Sequence, residues 1–244
     1  MFLALIASHV ESAKILGIFP HPSKSHSILG QALFVALAKQ GHEVTFINPF
    51  PMKNPPENYR DLPLTDKRIV EVFQAEMDKS FEANEKSPLF VLNDWFKDCA
   101  LMNEYTLRDP AVQKLLNSKT EKFDLIIIDL LANEALLGFG AHFNAPIIGM
   151  STFGQVKYVN HMMHSPAPMS MIPHPFLSFT DRMTYSERLQ NVLFNTVEDI
   201  MSYFFHFPLQ VRYQSLKFNK ILNDLYLIAA RHLQSLFQRK QTII

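Results

Sequence analysis

The stretch "KILGIFPHPSKSHSILGQALFVALAKQGHEVTFINPF", residues 14–50, decides the fold. Its first six residues, "KILGIF", are continuously apolar after Lys14, which is typical of a strand buried on both faces of a parallel sheet. A helical pattern follows from Ser27 and ends at Gly41, and residues 42–50 form a second strand-like run. A strand, a helix and a strand in this order require a right-handed parallel crossover. The stretch therefore predicts a doubly wound sheet.

The helix of this unit carries an apolar stripe, which we expect to pack against the sheet. The stripe consists of Ile28, Leu29, Ala32, Leu33, Ala36 and Leu37. The loop before this helix, "FPHPSKSH", contains two prolines, which fix the backbone as it leaves the first strand. We expect this loop to present His26, and we assign no role to His21.

A second unit of the same kind follows later in the chain. The run "FDLIIIDLL" (residues 123–131) predicts a buried strand, residues 133–144 a helix, and "APIIGMS" (residues 145–151) another strand. Between the two units, residues 49–63 are predicted to be a proline-rich loop, and residues 65–117 to be helical with a break at Pro88. Helical patterns return from Tyr185 to the end. The predicted fold class is α/β, a Rossmann-like doubly wound parallel sheet with long flanking helices.

Composition excludes several classes of function. Lysine plus arginine and aspartate plus glutamate both number 23, so no net charge attracts nucleic acid. The single cysteine, Cys99, excludes an internal disulfide and a cysteine-based zinc site, and we expect a buried apolar thiol. No run of about 18 apolar residues is present, which predicts no transmembrane span.

The opening residues 1–13, "MFLALIASHVESA", are predicted to be a short signal peptide. An apolar stretch precedes small residues of the kind that signal peptidase accepts, although a basic amino-terminal region is lacking. The alternative is an amino-terminal strand.

Two residues leave predicted strands where ligands bind in open parallel sheets, outside the carboxyl ends of the strands. His26 lies in the loop after the first strand, and Asp129 ends the run "LIIID". Histidine ordinarily titrates near neutrality, and a carboxylate on its other ring nitrogen would orient it to remove a proton from a hydroxyl group. From the pattern alone, the alternative is a helix-capping histidine and an unrelated aspartate at a strand end.

Two other kinds of site are less well supported. The loop "FPHPSKSH" has no glycine and cannot wrap a pyrophosphate as a dinucleotide-binding loop does, which disfavours a nicotinamide or flavin enzyme. His161 and His164 have a spacing that could ligate a metal, but no acidic residue follows at a useful distance, and we predict no metal site.

Three ordered segments carry a family resemblance: residues 13–51, 123–152 ("FDLIIIDLLANEALLGFGAHFNAPIIGMST") and 173–195 ("PHPFLSFTDRMTYSERLQNVLFN"). Together they resemble the amino-terminal half of the UDP-glycosyltransferases, in particular the insect-type, UDP-glucuronosyltransferase-like branch. The resemblance implies a GT-B fold, in which an amino-terminal Rossmann-like domain binds a lipophilic acceptor and a second one binds most of the UDP-sugar.

The resemblance also implies chemistry. A hexose or glucuronic acid would pass from UDP-glucose or UDP-glucuronate to the hydroxyl group of a small lipophilic acceptor, with inversion and with neither bound cofactor nor metal. His26 in "SKSH" matches the base of the family, and Asp129 in "IIIDLLANE" matches the aspartate that supports it. We predict further acceptor contacts from Ser25, Phe19, Met150, Met162 and Met163.

The sequence departs from the family pattern at its carboxyl end. We expect residues 14–244 to form the acceptor-binding domain, with the donor domain and membrane anchor absent and the chain inactive alone. The alternative is a non-catalytic truncated isoform that binds lipophilic ligands or pairs with full-length family members. The resemblance implies the lumen of the endoplasmic reticulum, in association with its membrane.

Overall fold

The computed structural model describes residues 11–82, 87–152, 157–162 and 168–218. Its centre is a five-stranded, fully parallel sheet with strands β1 (Lys14–Ile18), β2 (Glu43–Asn48), β3 (Tyr59–Pro63), β4 (Leu125–Asp129) and β5 (Ile147–Met150). The strands lie in the order β3-β2-β1-β4-β5. The order reverses between β1 and β4, and this reversal is the topological switch point of a doubly wound sheet. The predicted fold class is confirmed.

Eight helices accompany the sheet in the described part of the chain. They are α1 (Lys24–Lys39), α2 (Lys67–Glu82), α3 (Pro88–Arg108), α4 (Pro110–Leu116), α5 (Gly138–Phe143), α6 (Lys157–Met162), α7 (Tyr185–Met201) and α8 (Phe207–Lys217). A 3-10 turn (Glu134–Leu137) precedes α5, and a π-helical segment (Ser202–His206) joins α7 to α8. Residues 1–10 of the predicted signal peptide and residues 219–244 lie outside the described residues.

The prediction of a loop throughout residues 49–63 is wrong, because β3 lies within it. This strand pairs with β2 from Val44 opposite Tyr59 to Asn48 opposite Pro63. Asp61 stabilises the pairing, since its carboxylate accepts hydrogen bonds from Asn48 Nδ2 at 2.7 Å and Met52 N at 2.8 Å. The strand lies at the edge of the sheet, which is where proline and charged side chains are tolerated.

The predicted apolar stripe of α1 is only partly correct, because Leu33 and Leu37 pack against the core but Ile28 and Leu29 do not. Ile28 is 62% exposed and Leu29 46%, whereas Gly30, Phe34 and Ala38 face the sheet. A Cβ atom on Gly17 of β1 would lie only 2.3 Å from Phe34 Cζ, so the missing side chain of the strand accommodates the ring of the helix. The fit between this glycine and this ring, and not the count of apolar residues, determines which face of α1 is buried.

The core has two layers, one on each face of the sheet. On one face Phe19, Phe34 and Phe46 pack together between α1 and the strands, with ring centroids 4.6–5.6 Å apart. The other face is covered by residues of α3, α4, α5 and α8, which pack on side chains of β1 and β4. Cys99 is buried within α3, which confirms the predicted burial of this thiol.

Candidate active site

The switch point of the sheet brings His26 and Asp129 together. Asp129 is the last residue of β4, and His26 lies in the first turn of α1, after the loop that leaves β1. His26 Nδ1 lies 2.6 Å from Asp129 Oδ2. The side chain of His26 is 6% exposed and that of Asp129 1%, so water screens this contact poorly. The geometry is that of a histidine whose ring is oriented by a carboxylate.

The loop that presents His26 is short and continues the line of β1. The backbone N–H of Phe19 still donates to Ile47 O, at 2.9 Å, as a residue of the strand would. Pro20 and Pro22 have no N–H to donate and restrict the backbone after the strand ends. Helix α1 then begins at Lys24, so its first turn places His26 over the end of the neighbouring strand β4.

Thr152 is a third member of this site, and the sequence analysis missed it. Its hydroxyl donates to Asp129 Oδ1 at 2.9 Å and lies 2.8 Å from His26 Nδ1. Thr152 comes two positions after β5, at the carboxyl ends of the strands, where Asp129 also lies. The rule that selected His26 and Asp129, inspection of residues just beyond the strands, could have found it.

A network of buried amides holds the backbone that follows Asp129. Asn133 Nδ2 donates to Asp129 O at 2.6 Å, and Ala132 adopts a positive φ of 46°. Ala132 O accepts hydrogen bonds from Asn103 Nδ2 of α3 at 3.0 Å and from Gln210 Nε2 of α8 at 3.1 Å. The turn after β4 is therefore anchored to two helices, which fixes the position of Asp129.

The same turn is held by a buried contact between a histidine and a carboxylate. His206, at the end of the π-helical segment, lies with its Nε2 2.8 Å from Glu134 Oε2. Its ring stacks on Phe96 of α3 with a centroid distance of 4.6 Å. The segment between α7 and α8 thus helps to fix the turn that follows Asp129.

His21, to which we assigned no role, is in direct contact with His26. The two rings stack with centroids 4.8 Å apart and planes 29° apart, and Phe73 contacts His21 edge-on. Burial, with a smaller contribution from the charge of His26, lowers the pKa of His21 to about 3. At neutral pH the imidazole ring of His21 is therefore uncharged and stacks on one face of the His26 ring.

The other predicted acceptor contacts are distributed unevenly. Ser25 is exposed next to the site, with its hydroxyl 2.8 Å from Ser23 Oγ. Met150 ends β5 directly opposite Asp129 and is half-buried. Phe19 has no exposed surface and packs in the core, so we leave it out of the binding surface.

The other two predicted acceptor contacts, Met162 and Met163, lie in the segment "HMMH", residues 161–164, whose side chains are not among those that the structure describes. Met163 and His164 lie outside the described residues, and only the backbone of His161 and Met162 is described, in α6. Within the described residues, no group of three or more histidine, cysteine or acidic side chains is placed to hold a metal ion. In the same part of the chain, no helix is both long and apolar enough to cross a membrane.

The fold and the site together define a class of protein: a doubly wound parallel domain that carries a buried histidine–carboxylate pair at its switch point. The family model described as UDP-glucoronosyl and UDP-glucosyl transferase matches residues 14–234. The chain belongs to this family of UDP-glycosyltransferases, as the resemblance implied.

Individual relatives agree with the family. The chain is 31% identical to UDP-glycosyltransferase UGT4 of Dactylopius coccus over 185 residues, which are 74% of this chain and 35% of that protein. It is 31% identical to UDP-glycosyltransferase UGT5 of the same insect, over 75% of this chain and 35% of the relative. An ecdysteroid UDP-glucosyltransferase of Lacanobia oleracea granulosis virus is 27% identical over 62% of this chain and 33% of its own length. The chain spans about a third of the length of these relatives.

Proposed function

We propose that this chain contributes the acceptor site and the catalytic base of a UDP-glycosyltransferase, with residues 14–244 as the acceptor-binding domain. The reaction is the transfer of a hexose or glucuronic acid from a UDP-sugar to the hydroxyl group of a small lipophilic molecule. The observation that carries the proposal is the 2.6 Å contact between His26 Nδ1 and Asp129 Oδ2, buried at the switch point of the sheet. Membership of the family supports the substrate class.

The proposed step needs one base and no covalent enzyme intermediate. His26 Nδ1–H donates to Asp129, which leaves the lone pair of the ring on Nε2. Nε2 takes the proton of the acceptor hydroxyl while the hydroxyl oxygen bonds to the anomeric carbon of the sugar and UDP leaves with the electrons of the broken bond. Asp129 balances the positive charge that develops on the imidazole ring.

The surroundings of His26 suit an apolar acceptor. Met150 lies half-buried at the same edge of the sheet, opposite Asp129. Phe73, half-buried, packs against His21 on the side of α2. We propose that the acceptor contacts Ser25, Met150, Met162 and Met163. Methionine suits this role because its flexible side chain adapts to ligands of varied shape.

A transfer assay tests the proposal. Residues 1–244 are joined to the part of UDP-glycosyltransferase UGT4 of Dactylopius coccus that lies beyond its match to this chain, and acceptor-dependent release of UDP is measured with lipophilic phenols and alcohols. We expect release with the fusion protein and a fall of about 10²–10⁴-fold in His26→Gln, which removes the base. A matched control, His142→Gln, changes an exposed histidine of α5 and should retain the rate.

The chain without a fused segment separates binding from transfer. Acceptor binding is followed by quenching of the fluorescence of Trp95, the single tryptophan. Saturable binding of phenols by the unfused chain supports the acceptor site. Binding together with a fusion protein that never releases UDP would favour the non-catalytic, ligand-binding alternative and contradict the catalytic proposal.

A further inference from the structure

We propose that Thr152 is a positioning residue that fixes the carboxylate of Asp129 and, through it, the tautomer of His26. The role assigned to the tautomer rests on the proposed function, because it matters only if His26 acts as a base. The tautomer itself is a property of the folded chain and can be measured without sugar transfer.

The argument rests on three short contacts that close a ring of polar atoms. Thr152 Oγ1 lies 2.9 Å from Asp129 Oδ1, Asp129 Oδ2 lies 2.6 Å from His26 Nδ1, and His26 Nδ1 lies 2.8 Å from Thr152 Oγ1. All three side chains are buried or half-buried, so bulk water does not easily replace these partners. The hydrogen bonds within the group therefore matter for the polar atoms that share them.

Counting protons assigns the donors. An ionised carboxylate can only accept, and a threonine hydroxyl has one proton to give. If His26 Nδ1 had no proton, its lone pair would face the Asp129 carboxylate at 2.6 Å with nothing between them, which is strongly unfavourable. Nδ1 must then carry the proton and donate it to Asp129 Oδ2. The hydroxyl of Thr152 donates to the other carboxylate oxygen, Oδ1.

The consequence is a fixed direction for every donor in the chain of contacts. Thr152 holds Asp129 so that Oδ2 points at Nδ1, and Asp129 holds the proton on Nδ1. The lone pair of the ring is thereby kept on Nε2, the nitrogen that a base needs. Without the hydroxyl of Thr152, the carboxylate loses one of the two side-chain partners that define its rotation, and the other tautomer becomes more accessible.

The place of Thr152 in the fold suits this role. It follows β5, whose last residue Met150 pairs with Asp129, so the adjacent strand defines the distance between the two side chains. The backbone is tied at this point, because Leu130 N donates to Met150 O at 2.7 Å.

The test is a measurement of the His26 tautomer by nuclear magnetic resonance on the chain labelled with ¹⁵N-histidine. The sequence contains 10 histidines, so the signals of His26 are assigned by their loss in His26→Gln. At pH 8 we expect Nδ1 protonated and Nε2 bare. In Thr152→Val, which keeps the shape and removes the hydroxyl, we expect the ratio of the two tautomers to fall about fivefold, the effect of one lost hydrogen bond.

Thr152→Ser is the matched control, because it retains the hydroxyl and should keep the wild-type ratio. Thr152→Ala serves as a second variant if the valine disturbs packing, and it should behave like Thr152→Val. A wild-type ratio in both Val and Ala variants, or a wild-type chain with the proton on Nε2, overturns the proposal. In the fusion protein, the Val variant should lower kcat with little change in the KM of the acceptor. A changed tautomer in a fusion that transfers no sugar would support the positioning role while the proposed function fails.

Discussion

His21 stacks on His26 with ring centroids 4.8 Å apart, and the two rings differ sharply in what surrounds them. His26 has a carboxylate partner in Asp129, whereas Nδ1 of His21 is buried without a hydrogen-bond partner in the described residues. A charged His21 would be desolvated and would face a second imidazole ring. Burial, with a smaller contribution from the neighbouring His26, therefore keeps His21 neutral.

The neutral state of His21 makes the folded chain sensitive to acid. Its pKa is lowered from 6.5 to about 3, so the unfolded chain binds the proton first and stability falls as the pH drops from 6.5 towards 3. We expect His21→Phe to remove up to about 1.4 kcal/mol per pH unit from this dependence while leaving stability at pH 8 similar. Urea unfolding at several pH values measures it. The exposed His142→Phe is the control, and an equal slope in His21→Phe and wild type would contradict the expectation.

Gly17 should not tolerate a side chain. A Cβ at this position would lie 2.3 Å from Phe34 Cζ and 2.7 Å from Phe46 Cδ2, both in the core. We expect Gly17→Ala to lower the free energy of unfolding by about 1–3 kcal/mol through overpacking. Phe34→Leu makes room, so the double variant should be more stable than the sum of the two single changes predicts. Strictly additive effects in urea unfolding would show that the two residues do not compete for this space.

Lys157 should contribute to stability, because its charged side chain is nearly buried next to two carboxylates. It lies 2.5 Å from Asp199 Oδ1 and 3.3 Å from Glu198 Oε2, and all three side chains are nearly buried. Burial raises the pKa of Glu198, but a hydrogen bond from His174 and the charge of Lys157 outweigh it, and the pKa stays below its ordinary value. The charge of Lys157 therefore helps to keep the Glu198 carboxylate ionised.

Removing that lysine leaves buried negative charge with less compensation. We expect Lys157→Met to lower the free energy of unfolding by about 3–5 kcal/mol, the range for breaking a buried ion pair. The matched control is Lys14→Met, which breaks an exposed pair with Glu43 at 3.2 Å and should cost no more than about 1 kcal/mol. Equal losses in the two variants, measured by thermal unfolding at pH 7, would argue against a special role for the buried cluster.

The parts of the fold that could be predicted were those with a single dominant signal. Strands β1, β2 and β4 lie in the interior of the sheet and are rich in apolar residues, because parallel strands there are covered on both faces. The edge strand β5 was predicted from its short apolar run, Ile147–Met150. Strand β3 has Arg60 and Asp61 in its centre and follows two prolines. The position of β3 is specified by its pairing with β2 and not by an apolar pattern of its own, so periodicity could not reveal this strand.

The buried face of α1 was predicted only in part, for a similar reason. Ile28 and Leu29 are apolar, yet they are exposed, and the buried positions include Gly30 and Ser27. The choice depends on a hole in the sheet at Gly17, which the helix sequence alone does not contain. Packing between elements decided the face, and a single sequence records only one side of that contact.

For the candidate site, the sequence predicted that His26 and Asp129 meet, but it did not predict their contacts with Thr152 and His21. His26 and Asp129 are 103 positions apart and meet because they lie at the carboxyl ends of two strands, β1 and β4, that are neighbours at the switch point. Thr152 satisfies the same rule but has an ordinary side chain that no motif singles out. His21 was judged by the absence of a motif, whereas its contact with His26 depends on the fold of the loop.

The central claim, that His26 and Asp129 act as one unit in sugar transfer, is tested most directly by a double-mutant cycle in the fusion protein. The rates of transfer are measured for His26→Gln, Asp129→Asn and the double variant. We predict that the double variant is about as slow as His26→Gln alone, because the carboxylate acts only through the histidine. Losses that multiply, or a His26→Gln rate equal to that of the wild type, would contradict the account.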